Sequence, residues 1–351
     1  MRRSTARRTR AALAVAVTLL IAGCSLTGTG RDPENRTVTL VTHDSFAMSD
    51  ELRQRFERDS GFELRILRKG DAGELTNELV LTRDAPIGDV AFGVDSTYLS
   101  RALDEDVFAS YRPEGAAQIP IKYAFGANAR PTPVDAGDVC LNIDLGWFEQ
   151  HDVPPPEKLA DLVEPRYRGL FAVPNPATSS PGLAFLLNTV DTFGEPGWRN
   201  YWRQLLDNDA RISSGWQEAY NQDFSGSSGE GPRPIVLSYA SSPAAEIGPD
   251  GQPRTRALLD TCYRQVEYAG VLNGTDTPKG ARELMDFMLS WKFQSRIPEQ
   301  MYVYPVVMGV ELPESWQRAA PLPESSNQMK PERVERNRAE WIRQWRSLAT
   351  G

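Results

Sequence analysis

The chain has 351 residues, with 39 Lys and Arg against 47 Asp and Glu, and a formal net charge of -8. That balance excludes a nucleic-acid surface, whose phosphates demand a basic face, and it suits a cationic ligand without choosing one. With 2 histidines and 3 cysteines, the usual zinc site has too few ligands; a serine triad would rest on His43 or His151, no serine lies in a Gly-x-Ser-x-Gly elbow, and neither catalysis nor a cofactor is expected.

Arg2, Arg3, Arg7, Arg8 and Arg10 precede an apolar run, Ala11 to Ala22. The run is shorter than the roughly 20 residues that span a bilayer, so it reads as an export signal. Ile21-Ala22-Gly23-Cys24 resembles a bacterial lipobox. Residues 1–23 are thus expected to be a lipoprotein signal, with Cys24 as the lipid-bearing first residue of the mature chain. Residues 24–35, with Gly28, Gly30 and Pro33, read as a flexible tether. Removing residues 1–23 leaves 328 residues and, with the five arginines gone, takes the charge from -8 to -13. That length suffices for two domains. Cys140 and Cys262 share an oxidising compartment; a disulfide and two buried thiols are both compatible with the sequence.

Thr37 to Val41 is β-branched and reads as a strand, and Ser49 to Ser60 as a helix with Asp50 and Glu51 in its first turn and Gly61 as its stop. Phe62, Leu64 and Ile66 alternate as a strand, Ala72 to Arg83 is helical, and Asp89 to Val94 is a strand with Ser96 capping the next helix. Ala116 to Asp138 shows no period; Val139 to Asp144 is a strand. Leu170 to Pro174 opens a second series, with Ser180 as cap and Pro181 in the first turn of the next helix. Arg211 to Ser214 is a short strand, Ser225 to Pro234 an exposed loop, Ile235 to Tyr239 and Tyr263 to Leu272 strands. Pro278 to Leu289 is an amphipathic helix, and Arg333 to Leu348 a terminal one with Trp341 and Trp345 inward.

The alternation of strand and helix predicts an α/β fold with ligands at the carboxyl ends of the strands. The loops to watch are His43 to Phe46, Lys69 to Gly73, and Asp95-Ser96. Two crossings, near Val139 to Asp144 and near Tyr263 to Gly270, join the two series. The expected division is one lobe from residues 36–138 and 266–310, a second from 139–265, and a C-terminal helical segment, 311–351. Hinge closure around a ligand suits that layout.

Seven segments then occur in an ordered series: Thr42 to Phe46, Gly88 to Asp95, Pro133 to Cys140, Ala177 to Leu183, Gly215 to Tyr220, Leu237 to Ala244, and Tyr302 to Val306. On these the chain resembles the thiamine-binding proteins of bacterial ABC importers, over about residues 36–348. The resemblance implies a type II periplasmic binding protein fold, two doubly wound sheets joined by two hinge crossings. It implies capture of thiamine, its monophosphate or its diphosphate, delivery to the importer's transmembrane subunits, and a monomer held outside the cytoplasm at the cell membrane.

A thiazolium cation seeks aromatic faces and carboxylates, and a cation over a ring gains about 0.5–2 kcal/mol. Trp216, Tyr220, Tyr239 and Tyr302 are the candidate aromatics, although each can also be ordinary packing. Asp44 is the candidate acid; Asp95 and Asp135 are further ones that can equally order loops, and His43 can stack. By the resemblance, Ser179, Ser180 and Gly182 at a helix start would meet a phosphate arm. The chain departs from the fullest family pattern at His43 and Ala136, where aromatics are usual, and has no tryptophan shortly after Phe46. A polyamine or other organic cation is the alternative ligand, and a receptor-docking sensor lobe the alternative role.

Overall fold

The computed structural model describes residues 36–125 and 130–350. The expected signal, Cys24 and the tether lie outside the described residues. In the first strand series, β1 (Thr37–Thr42), β2 (Glu63–Arg68) and β3 (Val90–Asp95) alternate with α1 (Asp50–Ser60), α2 (Ala72–Leu81) and α3 (Leu99–Asp104). A long strand, β4 (Thr132–Asp144), leads through α4 (Leu145–His151) to the second series. That series comprises β5 (Phe171–Pro174), α5 (Ser180–Asp207), β6 (Arg211–Ser213), α6 (Trp216–Glu218) and β7 (Ile235–Tyr239). A second long strand, β8 (Thr255–Val271), returns the chain to α7 (Pro278–Leu289), α8 (Trp291–Gln294), α9 (Ile297–Met301) and β9 (Tyr304–Pro305). Two last helices, α10 (Glu314–Ala319) and α11 (Pro331–Thr350), complete it.

Local chemistry sets these boundaries. The Ser49 hydroxyl accepts from the Leu52 N–H at 3.3 Å and starts α1; Gly61, at φ 76°, stops it. Leu52 and Phe56 are the buried stripe of that helix. α5 is two helical segments across a break at Gly194 and Glu195, with Pro196 following. Trp341 and Trp345 are buried, the latter edge-on to Trp202 at 5.6 Å.

Among the described residues nine strands share one sheet, in the order β2-β1-β3-β8-β4-β7-β5-β6, with β9 added on β4. The strands of each series run parallel to one another, whereas β3, β8, β4 and β7 are successively antiparallel. The two series therefore point in opposite senses. Register shows where they meet. β3 ends at Asp95, opposite Glu267, which is itself opposite Asp135. β7 ends at Tyr239, opposite Val139. The carboxyl ends of both series thus converge on the stretch Asp135 to Val139 of β4. β9 pairs with Asp135 and Ala136, bringing the adjoining Tyr302 and Val303 to the same level. The two expected crossings are β4 and β8, whose shared ladder, with register shifts between Pro133 and Asp135 and between Val139 and Leu141, carries hydrogen bonding from one series to the other.

Five local expectations need correction. β4 begins at Thr132 and β8 at Thr255, both earlier than expected. Residues 132–143 are buried throughout, and a strand buried on both faces shows no alternation to read. Ser180 is the first residue of α5 and Ser179 its cap. The Ser96 hydroxyl accepts from the Val266 N–H at 3.3 Å instead of capping α3. Within the loop expected to be exposed, Gly226 and Ser227 are buried, because the Ser227 hydroxyl donates to the Tyr220 carbonyl at 2.6 Å. Cys140 and Cys262, on the neighbouring strands β4 and β8, form a disulfide.

Candidate ligand-binding site

A cleft enclosing about 250 Å³ lies where the strand ends converge. Of the residues marked out in the sequence, His43, Asp44, Ser180, Trp216, Tyr220, Tyr239 and Tyr302 line it. Asp95, Asp135, Ser179 and Gly182 do not; they form the layer behind.

The aromatic wall comes from the second series, with Tyr302 added from the end of α9. Trp216 opens α6 and Tyr220 follows four residues on, so both rings share a face. They stack with centroids 5.1 Å apart and planes 14° from parallel, and Tyr239 lies 6.4 Å from Trp216. The Trp216 indole N–H donates to the Ser238 hydroxyl at 2.9 Å, and Ser238 and Ser242 share a hydrogen bond at 2.7 Å. The Tyr220 hydroxyl donates to Glu246 Oε1 at 3.2 Å. These bonds set the ring planes. Tyr302, at the end of α9, takes a left-handed backbone, φ 54°, and stacks on Trp316 at 6.3 Å. It is 38% exposed, so its ring remains open to contact. Phe46 packs edge-on to Phe92 in the core.

The acidic wall comes from the first series and β8. Asp44 follows β1; burial, and then the charge of Asp71, push its carboxyl above the usual range. The Ser45 hydroxyl donates to Asp44 Oδ1 at 3.1 Å and accepts from Gln217 Nε2 of the second series at 3.2 Å. His43 Nε2 lies 3.5 Å from Glu267 Oε1. Burial, and then the neighbouring Asp135, hold the Glu267 carboxyl well above the usual range; burial raises Asp135 likewise. Asp95, Glu267 and Asp135 form a row across β3, β8 and β4. Like charges directly opposite one another are unfavourable, and proton uptake by this row relieves the repulsion. The Ser180 hydroxyl donates to the Asp95 carboxylate and accepts from Gln265 Nε2 at 2.6 Å. Among the described residues lining the cleft there is no Lys or Arg, and none of the described residues form a group of three or more His, Cys, Asp or Glu able to hold a metal ion.

Sequence reasoning passed over Asp71 and Glu267. Asp71 lies in the marked loop Lys69 to Gly73, and an Asp immediately before a helix is a cap signal. Glu267 sits inside a strand, and only strand register reveals its neighbours.

The family described as bacterial extracellular solute-binding protein matches residues 85–326. The chain belongs to that family. The family is one of solute binders, not a class of enzymes, which places the chain among extracytoplasmic proteins. The thiamine-binding periplasmic protein of Salmonella typhimurium is 30% identical over 315 residues, covering 88% of this chain and 92% of the relative. That of Escherichia coli is 28% identical over 319 residues, with the same coverage of both chains. A solved periplasmic thiamin binding protein superposes with a TM-score of 0.80 at 26% identity, over 90% of this chain and 96% of that one. Iron-bound HitA from Pseudomonas aeruginosa, at 20% identity and TM-score 0.69, covers 89% of this chain and 99% of that one and shares the fold. The architecture is the type II periplasmic binding protein fold.

Proposed function

We propose that the protein is a lipid-anchored binding protein that captures thiamine or a thiamine phosphate and delivers it to an ABC importer. The observation that carries this reading is the pairing of two walls: stacked Trp216 and Tyr220, with Tyr239 and Tyr302, facing Asp44, Asp71 and Glu267 without a lining Lys or Arg. That combination suits a flat organic cation. Rings contribute their negative faces to the thiazolium, and a carboxylate accepts from the pyrimidine amino group while balancing the charge. The names of the similar proteins support thiamine as the cation.

The working cycle is capture, closure and release. Residues 36–138 with 266–310 act as one lobe and residues 139–265 as the other, hinged on β4 and β8. Asp71 and Ser45 of the first lobe bond Ser180, Trp216 and Gln217 of the second, which are the contacts a closed form needs. Closure removes water and strengthens each charge contact. Lipid on Cys24 keeps the monomer beside the importer's transmembrane subunits.

Calorimetric titration of the purified full-length chain with thiamine, its two phosphates and spermidine tests the reading. Saturable binding of a thiamine form, with spermidine weak or silent, is expected. A response to spermidine alone would transfer the function to polyamine capture on the same fold.

A further inference from the structure

We propose that the cleft exchanges a proton for its cation: Glu267 and Asp135 hold one proton between them while the cleft is empty, and release it to solvent when an organic cation settles against Glu267. This rests on the thiamine-class reading above and adds a coupling to it. The two carboxyls oppose one another on neighbouring strands, Asp135 of β4 opposite Glu267 of β8. Asp135 is wholly buried, and neither of its oxygens receives a hydrogen bond from an N–H or fixed O–H donor of the described residues. The Glu267 side chain is 16% exposed and lines the cleft, so it is the member a ligand reaches. A buried carboxylate without a donor is costly. One proton between the two removes a charge and supplies the missing hydrogen bond.

The other acids nearby are served by donors. Asp71, ahead of α2, accepts from the backbone N–H groups of Ala72, Ser180 and Trp216 at 2.7, 3.0 and 3.1 Å. Asp95 of β3 accepts from the Thr97 N–H at 2.6 Å and from the Ser180 hydroxyl, and Asp44, after β1, from the Ser45 hydroxyl at 3.1 Å. Bonds of that kind favour the ionised form. His43 Nε2, 3.5 Å from Glu267 Oε1, stands farther than a good hydrogen bond. Tyr239 of β7 and Tyr302 before β9 bring only neutral phenols to the cleft. The guanidinium groups on the adjoining elements are engaged elsewhere: Arg264 of β8 pairs with Asp138 at 3.1 Å, and Arg338 of α11 donates to the Thr97 carbonyl at 2.9 Å. The Glu267–Asp135 pair is thus where a proton settles, and burial displaces both carboxyls upward accordingly. A cation beside Glu267 supplies from the ligand the positive charge that the proton supplied, which favours ionisation and frees the proton.

The test titrates the full-length chain with thiamine by calorimetry in two buffers, one of low and one of high ionisation enthalpy, at several values between about pH 6 and 8.5. The thiazolium charge is permanent and does not titrate. The observed heats are expected to differ between the buffers by an amount equivalent to about 0.3–1 proton released, and affinity to rise with pH by up to about tenfold per unit. Asp135→Asn offers Glu267 a fixed N–H donor and removes the proton's second seat; it is expected to cut the release at least about twofold and to flatten the pH dependence. His43→Asn is expected to keep the release. Equal heats in both buffers, with thiamine still bound by the wild type, overturn the coupling and leave the function standing; this comparison needs no variant to fold. Full release from a folded Asp135→Asn protein, or loss of release in a folded His43→Asn protein, assigns the proton to another group and overturns the role of the pair. If thiamine and its phosphates all fail to bind, the functional reading falls and the inference with it.

Discussion

Replacing Trp216 by Leu separates what the indole face does from what its bulk does. Leucine keeps an apolar side chain at the start of α6 but presents no ring to a cation. The cation–ring term is about 0.5–2 kcal/mol, which at 1.4 kcal/mol per decade weakens the dissociation constant for thiamine by about 2- to 30-fold. The upper half of that range is expected, because the site is partly closed from water and Trp216 is held in place by its bond to Ser238 and its stack on Tyr220. Losing the stack removes a ring pair of about 0.5–1.5 kcal/mol from the folded protein, so the melting temperature should fall by a few degrees without loss of the fold. Calorimetry gives the affinity and a thermal melt the stability. Trp216→Phe is the control: it retains a ring face and should bind more tightly than the Leu variant. The reasoning is refuted if Trp216→Leu binds thiamine as tightly as wild type in a protein that still melts cooperatively, or if Phe and Leu are indistinguishable.

Gly73→Ala tests closure. Its Cβ would sit 2.5 Å from the Thr178 carbonyl oxygen across the cleft and 2.7 Å from the Tyr98 hydroxyl, and overpacking of that kind costs about 1–3 kcal/mol. The Thr178 contact lies between the lobes and the Tyr98 contact within one of them, so if the lobes part without ligand, affinity should fall by up to about 150-fold while the ligand-free melting temperature falls only by the share due to Tyr98; a loss of ligand-free stability as large as the loss of affinity would show a static contact instead. Glu267→Gln tests the buried acidic row. A carboxyl whose folded pKa is raised binds its proton more tightly in the folded state, so its contribution is fully present below the ordinary Glu pKa of about 4.3 and is lost as pH rises through the folded value. The variant should therefore gain stability relative to wild type as pH rises from 4.5 to 9, read as the difference in melting temperature; a difference independent of pH would refute the assignment.

Much of this molecule follows from local chemistry. The cap at Ser49, the stop at Gly61 and the alternation through Leu64 are signals carried within a few residues, because helix ends and pleated strands are decided by neighbouring groups. Trp216 and Tyr220 could be placed together for the same reason, since four residues span one helical turn. The loops at His43 to Phe46 and Lys69 to Gly73 were marked by the rule that strand ends carry function, and both contribute to the cleft. What required the folded chain was every relation across long separations. The Asp71 carboxylate meets Ser180 and Trp216, 109 and 145 residues away in sequence, and no local pattern encodes that meeting. The row Asp95, Glu267 and Asp135 arises from the register of three strands, and a shift of one residue would turn each side chain to the other face. Register likewise decides which acids line the cleft and which lie behind it. Residue types and short spacings determine which groups are available; only packing at the junction of two opposed strand series decides which of them face one another.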